Sequence, residues 1–271
     1  MLARARDYAD LYLVNAKTAI IGQFQYQLAN IMFLIHLVIE PLIYLIVWTN
    51  VAESQGGSVG GYTASTFAAY YIVWTLVRQF NLSLSPQSFE WRIKNGRLAG
   101  ELLRPVHPIH YDLGFFLGIK VPYVIYWLPA GIILWLIFRP DIQPTWGQAA
   151  AFPVALMLGF LVRFALLWLL GLITFWTTRV SAIFDLFFTL ELLLSGRLVP
   201  LELMPQWAQG IADWLPFQWA FGFPIEVLIG RLSTQEIWQG FGIQLIWIVL
   251  CYTLIGIIWK RGVKHFTAVG G

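Results

Sequence analysis

Only 11% of the 271 residues are charged, under half of the ~25% usual in a soluble domain. Cysteine occurs once, as Cys251 inside an apolar run. That excludes an intramolecular disulfide and a thiolate metal site, and leaves a small buried hydrophobe as its ordinary role. Net charge is +3, and the basic residues stand at the ends of apolar runs rather than on a soluble face, so no nucleic acid is implied. Catalytic signatures are missing too. There is no G-x-S-x-G, no H-E-x-x-H and no paired-carboxylate arrangement outside the apolar runs. Nor is there a G-x-x-x-x-G-K-[ST]; the nearest approach, Gly114–Lys120 (GFFLGIK), has the wrong spacing and is apolar. No internal repeat is visible, which weighs against the inverted-repeat plan of many secondary transporters. No apolar core precedes an A-x-A site near the start, so no cleaved signal peptide is expected.

Hydrophobic residues make up 59% of the chain and the mean hydropathy is +0.69. Together these indicate an all-α polytopic membrane protein. A helix needs roughly 20 apolar residues to cross a ~30 Å hydrocarbon layer. Six stretches qualify: Leu28–Val51, Tyr62–Leu84, Tyr111–Phe138, Ala149–Trp176, Ala182–Val199 and Ile237–Trp259. Residues 1–27 carry Arg4, Arg6 and Lys17 among apolar residues at helical intervals, which predicts an interfacial helix on the cytoplasmic leaflet. Residues 200–230 are aromatic but broken by Pro200, Pro205, Pro216 and Pro224. Such backbone survives at membrane depth only where protein or a wet cavity satisfies it, so two short re-entrant helices are predicted. One side of the membrane collects Arg4, Arg6, Lys17, Arg78, Arg92, Lys94, Arg97, Arg104, Lys120, Arg179, Lys260, Arg261 and Lys264; the other has only Arg139 and Arg231. This asymmetry puts both termini and residues 85–110 in the cytoplasm, with the broken segment outside.

Residues 85–110 form a long basic interruption. Ser85 and Pro86 suit a helix start. Phe89, Ile93, Leu98 and Leu102 recur at helical spacing opposite Arg92, Lys94 and Arg97, while Asn95-Gly96 predicts a break into two short helices. Two roles fit such a helix pair: resting on anionic headgroups, or docking a cytoplasmic partner. His107 and His110 flank Pro108 and read as solvated loop histidines.

Inside the spans, Arg163 and Glu191 lie at similar depth on the fourth and fifth stretches. They can form a structural ion pair or line a substrate or proton path, and an Arg163/Glu191 exchange is expected to restore part of what either single change removes. His36 and Glu40 share a face of the first stretch, next to Pro41, without a third ligand for a metal; a kinked helix with polar groups facing a neighbour is the plainer reading. Gly114 and Gly118 form a G-x-x-x-G pattern that close helix packing explains.

Ile93-Lys94, Gly96, Leu98 and the run Leu102-Leu103-Arg104-Pro105-Val106-His107-Pro108 resemble the signature loop of bacterial ABC-type exporter permeases, in particular six-span permeases of the multidrug, viologen or otherwise unassigned export group. A second block is similar as well: Ser195-Gly196-Arg197-Leu198-Val199-Pro200, Met204-Pro205, Leu215-Pro216-Phe217, Pro224 and Gly230. The resemblance implies a coupling helix that docks on a separate cytoplasmic ABC ATPase present in two copies. ATP and Mg would be bound there and none on this chain. It also implies a second permease subunit, identical or related, and the bacterial inner membrane as location. Phe89, Trp91, Ile93, Leu98 and Leu102 would then supply apolar docking contacts, and Arg92, Lys94 and Arg97 polar ones. Gly196 and the four prolines of the broken segment would close the outer end of the pathway. Two alternatives from other classes are a proton-coupled secondary transporter using Glu191 or Glu40, and a membrane-embedded lipid-modifying enzyme.

Overall fold

A computed structural model describes the backbone of residues 2–25, 27–177 and 180–266, and the side chains of these apart from 2–6, 27–31 and 33–38. Arg179 and the side chains of Arg4, Arg6 and His36 therefore lie outside the described residues. Apart from one two-stranded hairpin, β1 (Ser58–Val59) with β2 (Tyr62–Thr63), the regular structure is helical. The order is α1 (Leu2–Gln25), α2 (Gln27–Ser54), α3 (Ala64–Phe80), α4 (Gln87–Lys94), α5 (Arg97–Leu102), α6 (Pro108–Gly118), α7 (Lys120–Phe138) and α8 (Trp146–Gly171). After a 3-10 turn over Leu172–Phe175 come α9 (Ser181–Leu194), α10 (Gln206–Trp214), α11 (Pro216–Ala220), α12 (Gly222–Ile229) and α13 (Thr234–His265).

Among the described residues, three helical stretches are long and apolar enough to cross a membrane: Pro108–Phe138, Trp146–Phe175 and Thr234–His265. Helix α2 runs through the first expected span, and three of the others are altered. The second ends early: α3 stops at Phe80, because residues 81–85 run without regular structure to the next helix. Its 17 residues reach only ~26 Å at 1.5 Å per residue. The fifth shortens to the 14 residues of α9, ~21 Å by the same measure, since Gly196 turns the chain at φ +80°. The third is two helices, α6 and α7, meeting at Ile119.

Helix α8 is the central element. It starts with a full capping box, Thr145 with Gln148, and is one of the most buried helices in the chain. Its first half packs with α3 and α12 in a core that includes Tyr70, Trp74, Phe152, Leu156, Phe221 and Ile225. Its second half packs with α4, α5 and α13 around Phe89, Leu98, Phe164, Trp168, Cys251, Ile255 and Trp259. Helix α1 lies along α6. The G-x-x-x-G face makes this approach possible: a Cβ on Gly118 would sit 2.6 Å from the Ala16 carbonyl oxygen, and one on Gly114 would be 3.2 Å from Asn15.

Candidate functional site

Helices α4 and α5 form the predicted break-and-turn pair, joined at Gly96 with φ +65°. The start differs by a residue: Pro86 is the N-cap, and Ser85 hydrogen-bonds the Gln87 side chain rather than a backbone N–H. The apolar face points inward. Phe89 and Leu98 are completely buried; Phe89 stands edge-on to Trp168 at 4.7 Å and covers Gly171 of α8, where a Cβ would collide with its ring. Ile93 and Leu102 are half-buried against the same core. All four anchor the loop to its own chain; Phe89 and Leu98 offer no surface to a partner in this arrangement, whereas Ile93 and Leu102 keep part of theirs.

Arg92 is also turned inward. Its guanidinium forms two hydrogen bonds with Asp112 of α6, Nη2 to Oδ1 at 2.6 Å and Nη1 to Oδ2 at 3.0 Å. Glu101 lies 3.4 Å away. Burial pulls the Arg92 pKa down, but the Asp112 bond and charge, with Glu101, outweigh it and the net direction is up. Asp112 also accepts a hydrogen bond from Trp168 Nε1 at 2.9 Å. Asp112 escaped the sequence reading, although a lone carboxylate in the run His110–Gly118 was the available signal. The exposed face keeps Trp91, Lys94 and Arg97 and adds Leu103 and Arg104.

The histidines differ from expectation. His107 is the N-cap of α6: its Nδ1 accepts the Ile109 N–H at 3.2 Å, and its ring packs against Trp259 at 4.6 Å and Trp168 at 5.5 Å. Burial, with the nearby His110, lowers its pKa to about 4. His110 pairs through Nδ1 with Tyr12 Oη at 2.8 Å, tying α6 to α1.

Within the membrane layer, Arg163 and Glu191 meet. Nε to Oε1 is 2.8 Å and Nη2 to Oε2 is 3.0 Å. A third member joins: Arg197 Nη1 reaches the same carboxylate at 3.3 Å. Arg163 Nη1 further donates to the Asn81 carbonyl at 2.9 Å, so it also satisfies the backbone where α3 has ended. Lys120 performs the same service for Leu82 and stands over the Phe160 ring at 3.9 Å. It is buried, unlike the exposed basic residues Lys94, Arg97 and Arg104. Glu40 forms an ion pair with Arg78. Among the described residues no group of three or more metal-ligating side chains occurs.

A family model described as ABC-2 family transporter protein matches residues 38–270. The chain belongs to the ABC-2 transporter family. No curated protein matches it. As an ABC-2 permease it is the membrane-embedded transport subunit of an ABC transporter, and permeases of this family pair with an ABC ATPase.

The proline-broken segment of this ABC-2 permease holds three short helices after a 3-10 turn, not two. Pro205 precedes α10, Pro216 opens α11, and Pro224 lies in the first turn of α12, positions where a missing N–H is harmless. Pro200 precedes the 3-10 turn over Leu201–Leu203. Side chains from neighbouring helices satisfy the irregular backbone. Tyr70 Oη donates to the Gly196 carbonyl at 2.8 Å and Tyr71 Oη to that of Leu198 at 2.9 Å. Asn81 donates to the Ala220 carbonyl at 2.7 Å, and Gln244 to those of Trp219 and Ala155 at 2.8 and 3.0 Å.

Proposed function

We propose that this permease is half of the membrane part of an ATP-driven exporter, working as a dimer of permeases above two cytoplasmic ABC ATPase subunits that carry the ATP and Mg. The reading has six membrane passages, with α1 lying on the inner leaflet of a bacterial inner membrane and both termini in the cytoplasm. The basic side defined by Arg92, Lys94, Arg97, Lys260, Arg261 and Lys264 supports this orientation. The segment from Gly196 to Gly230, including Pro200, Pro205, Pro216 and Pro224, then closes the outer end of the pathway.

The observation that carries the proposal is the two-faced α4–α5 loop. Its inner face is keyed to α8 through Phe89 and Gly171 and to α6 through Arg92 and Asp112. Its outer face offers Trp91, Lys94, Arg97 and Leu103 to a partner. A push on that outer face cannot be absorbed locally and must move α6 and α8. ATP drives the change by binding one arrangement of the paired subunits better than the other. The proton-coupled alternative has less support, because Glu191 is already held by two arginines and Glu40 by Arg78.

The test is purification of the tagged chain from its host in gentle detergent. An ATPase with a phosphate-binding loop should accompany it. Trp91→Ala combined with Lys94→Glu should lower the recovered ATPase about tenfold, as loss of a central aromatic anchor does, with membrane insertion unchanged. ATPase recovery at full yield from that variant would overturn this docking face.

A further inference from the structure

Between the α4–α5 loop and α6 lies a cavity of about 270 Å³, whose lining includes the charged Arg92, Arg97, Arg104, Glu101 and Asp112 together with the apolar Leu84, Phe115 and Phe116. Three guanidinium groups thus face two carboxylates. One carboxylate is spent: Asp112 accepts two hydrogen bonds from Arg92 and one from the Trp168 indole N–H. Glu101 is shared at long range, 3.4 Å from Arg92 and 4.0 Å from Arg97. Arg104 has its guanidinium over the Tyr111 ring at 4.8 Å and no ion pair among the described residues. The cavity therefore carries an uncompensated positive charge, and two of its arginines keep donors free.

The rest of its lining is of opposite character. Phe115 is exposed on the outside of α6, and α6 opens one of the three membrane-length stretches. A charged mouth on the basic side and an aromatic wall facing lipid match a molecule with a phosphate at one end and acyl chains at the other. We infer that this cavity binds the phosphate of an anionic phospholipid, held by Arg97 and Arg104, with its acyl chains along Phe115. A small soluble anion shares the phosphate chemistry but leaves the aromatic wall unused. An acidic segment of a protein partner would more readily meet Trp91, Lys94 and Leu103 on the outward surface, with Arg97 standing at the border between that surface and the cavity.

The probe is short-chain phosphatidylglycerol, compared with the phosphatidylcholine of equal chain length. Each is mixed with the purified full chain, with its ATPase where one accompanies it, and bound lipid is counted by native mass spectrometry. Phosphatidylglycerol should be retained about tenfold more than phosphatidylcholine, as two cations near one lipid charge allow. Arg97→Gln with Arg104→Gln should abolish the preference, and Arg104→Lys should keep part of it. Arg104 is exposed, so Arg104→Gln alone serves as a fold-neutral control and should lower retention. Glycerol phosphate at equal concentration should not displace the lipid. Equal retention of both lipids, or a preference untouched by the double variant, would overturn the inference. Displacement by glycerol phosphate would reduce the cavity to a soluble-anion site. Loss of the ATPase with lipid preference unchanged would assign the two arginines to the protein partner instead. None of these readouts depends on transport, so the inference stands or falls apart from the exporter reading.

Discussion

Glu191 serves two guanidinium groups at once, Arg163 from α8 and Arg197 from the turn after α9. This changes what an exchange of charges can do. Placing arginine at 191 would set it against Arg197, and a carboxylate at 163 would face the Asn81 carbonyl that Arg163 now satisfies. The Arg163/Glu191 exchange, expected from the pair alone to be a partial rescue, should do no better than Glu191→Gln. Each should lower stability by about 3–5 kcal/mol, the usual result of leaving a buried charge unpaired, read as a fall in the melting temperature of the detergent-solubilised protein. His107 provides a second residue-level prediction. Its pKa is lowered to about 4 in the fold against an ordinary 6.5. The neutral ring is the form that caps α6, so its stabilising effect is complete above pH 6.5 and is lost as pH falls from there toward 4. The melting temperature should drop on acidification across that window, and His107→Asn, which caps without titrating, should flatten the drop. An unchanged slope in that variant would place the pH dependence elsewhere.

At the scale of elements, α4 and α5 depend on a missing side chain in another helix. Gly171→Ala would push a methyl group into the Phe89 ring and should cost about 1–3 kcal/mol, as overpacking does. The lost stability should come with faster proteolysis of the α4–α5 loop, whereas Gly100→Ala, with open space around it, should be neutral. The two short helices, their break at Gly96 and the basic outer face were legible in local spacing. So were the helical class and the proline-broken run of short helices. The inward turn of Phe89 and Leu98 was not, because one amphipathic period reads alike whether its apolar face covers its own core or a partner. Asp112, Trp168 and His107 stayed hidden for a related reason: each acts across a fold-made contact at a sequence distance no periodicity measures. The early end of α3 was equally illegible, since Leu82 and Leu84 prolong the apolar run while Arg163 and Lys120 from other helices satisfy the freed carbonyls.

Across the whole molecule, much apolar surface remains outward. Ile246, Val249 and Trp238 on α13, with Leu136 and Ile137 on α7, are all more than half exposed, which suits lipid or a second copy. The proposed dimer predicts a protein mass in detergent of twice 31.0 kDa for the permease alone, by light scattering with the detergent contribution subtracted. A related permease of different size in the same peak would indicate a mixed pair, and a 31.0 kDa species at every concentration would speak against the dimer.

Helix α8 touches α11 and α12 with one half and the pair α4–α5 with the other. A rod gripped at both ends obeys reciprocity. Any molecule whose capture near α12 shifts α8 must alter how tightly a partner docked on α4–α5 is held, and that partner must alter the capture by the same factor. Occupancy at one end of α8 can therefore be weighed from the other, through a titration that never follows transport.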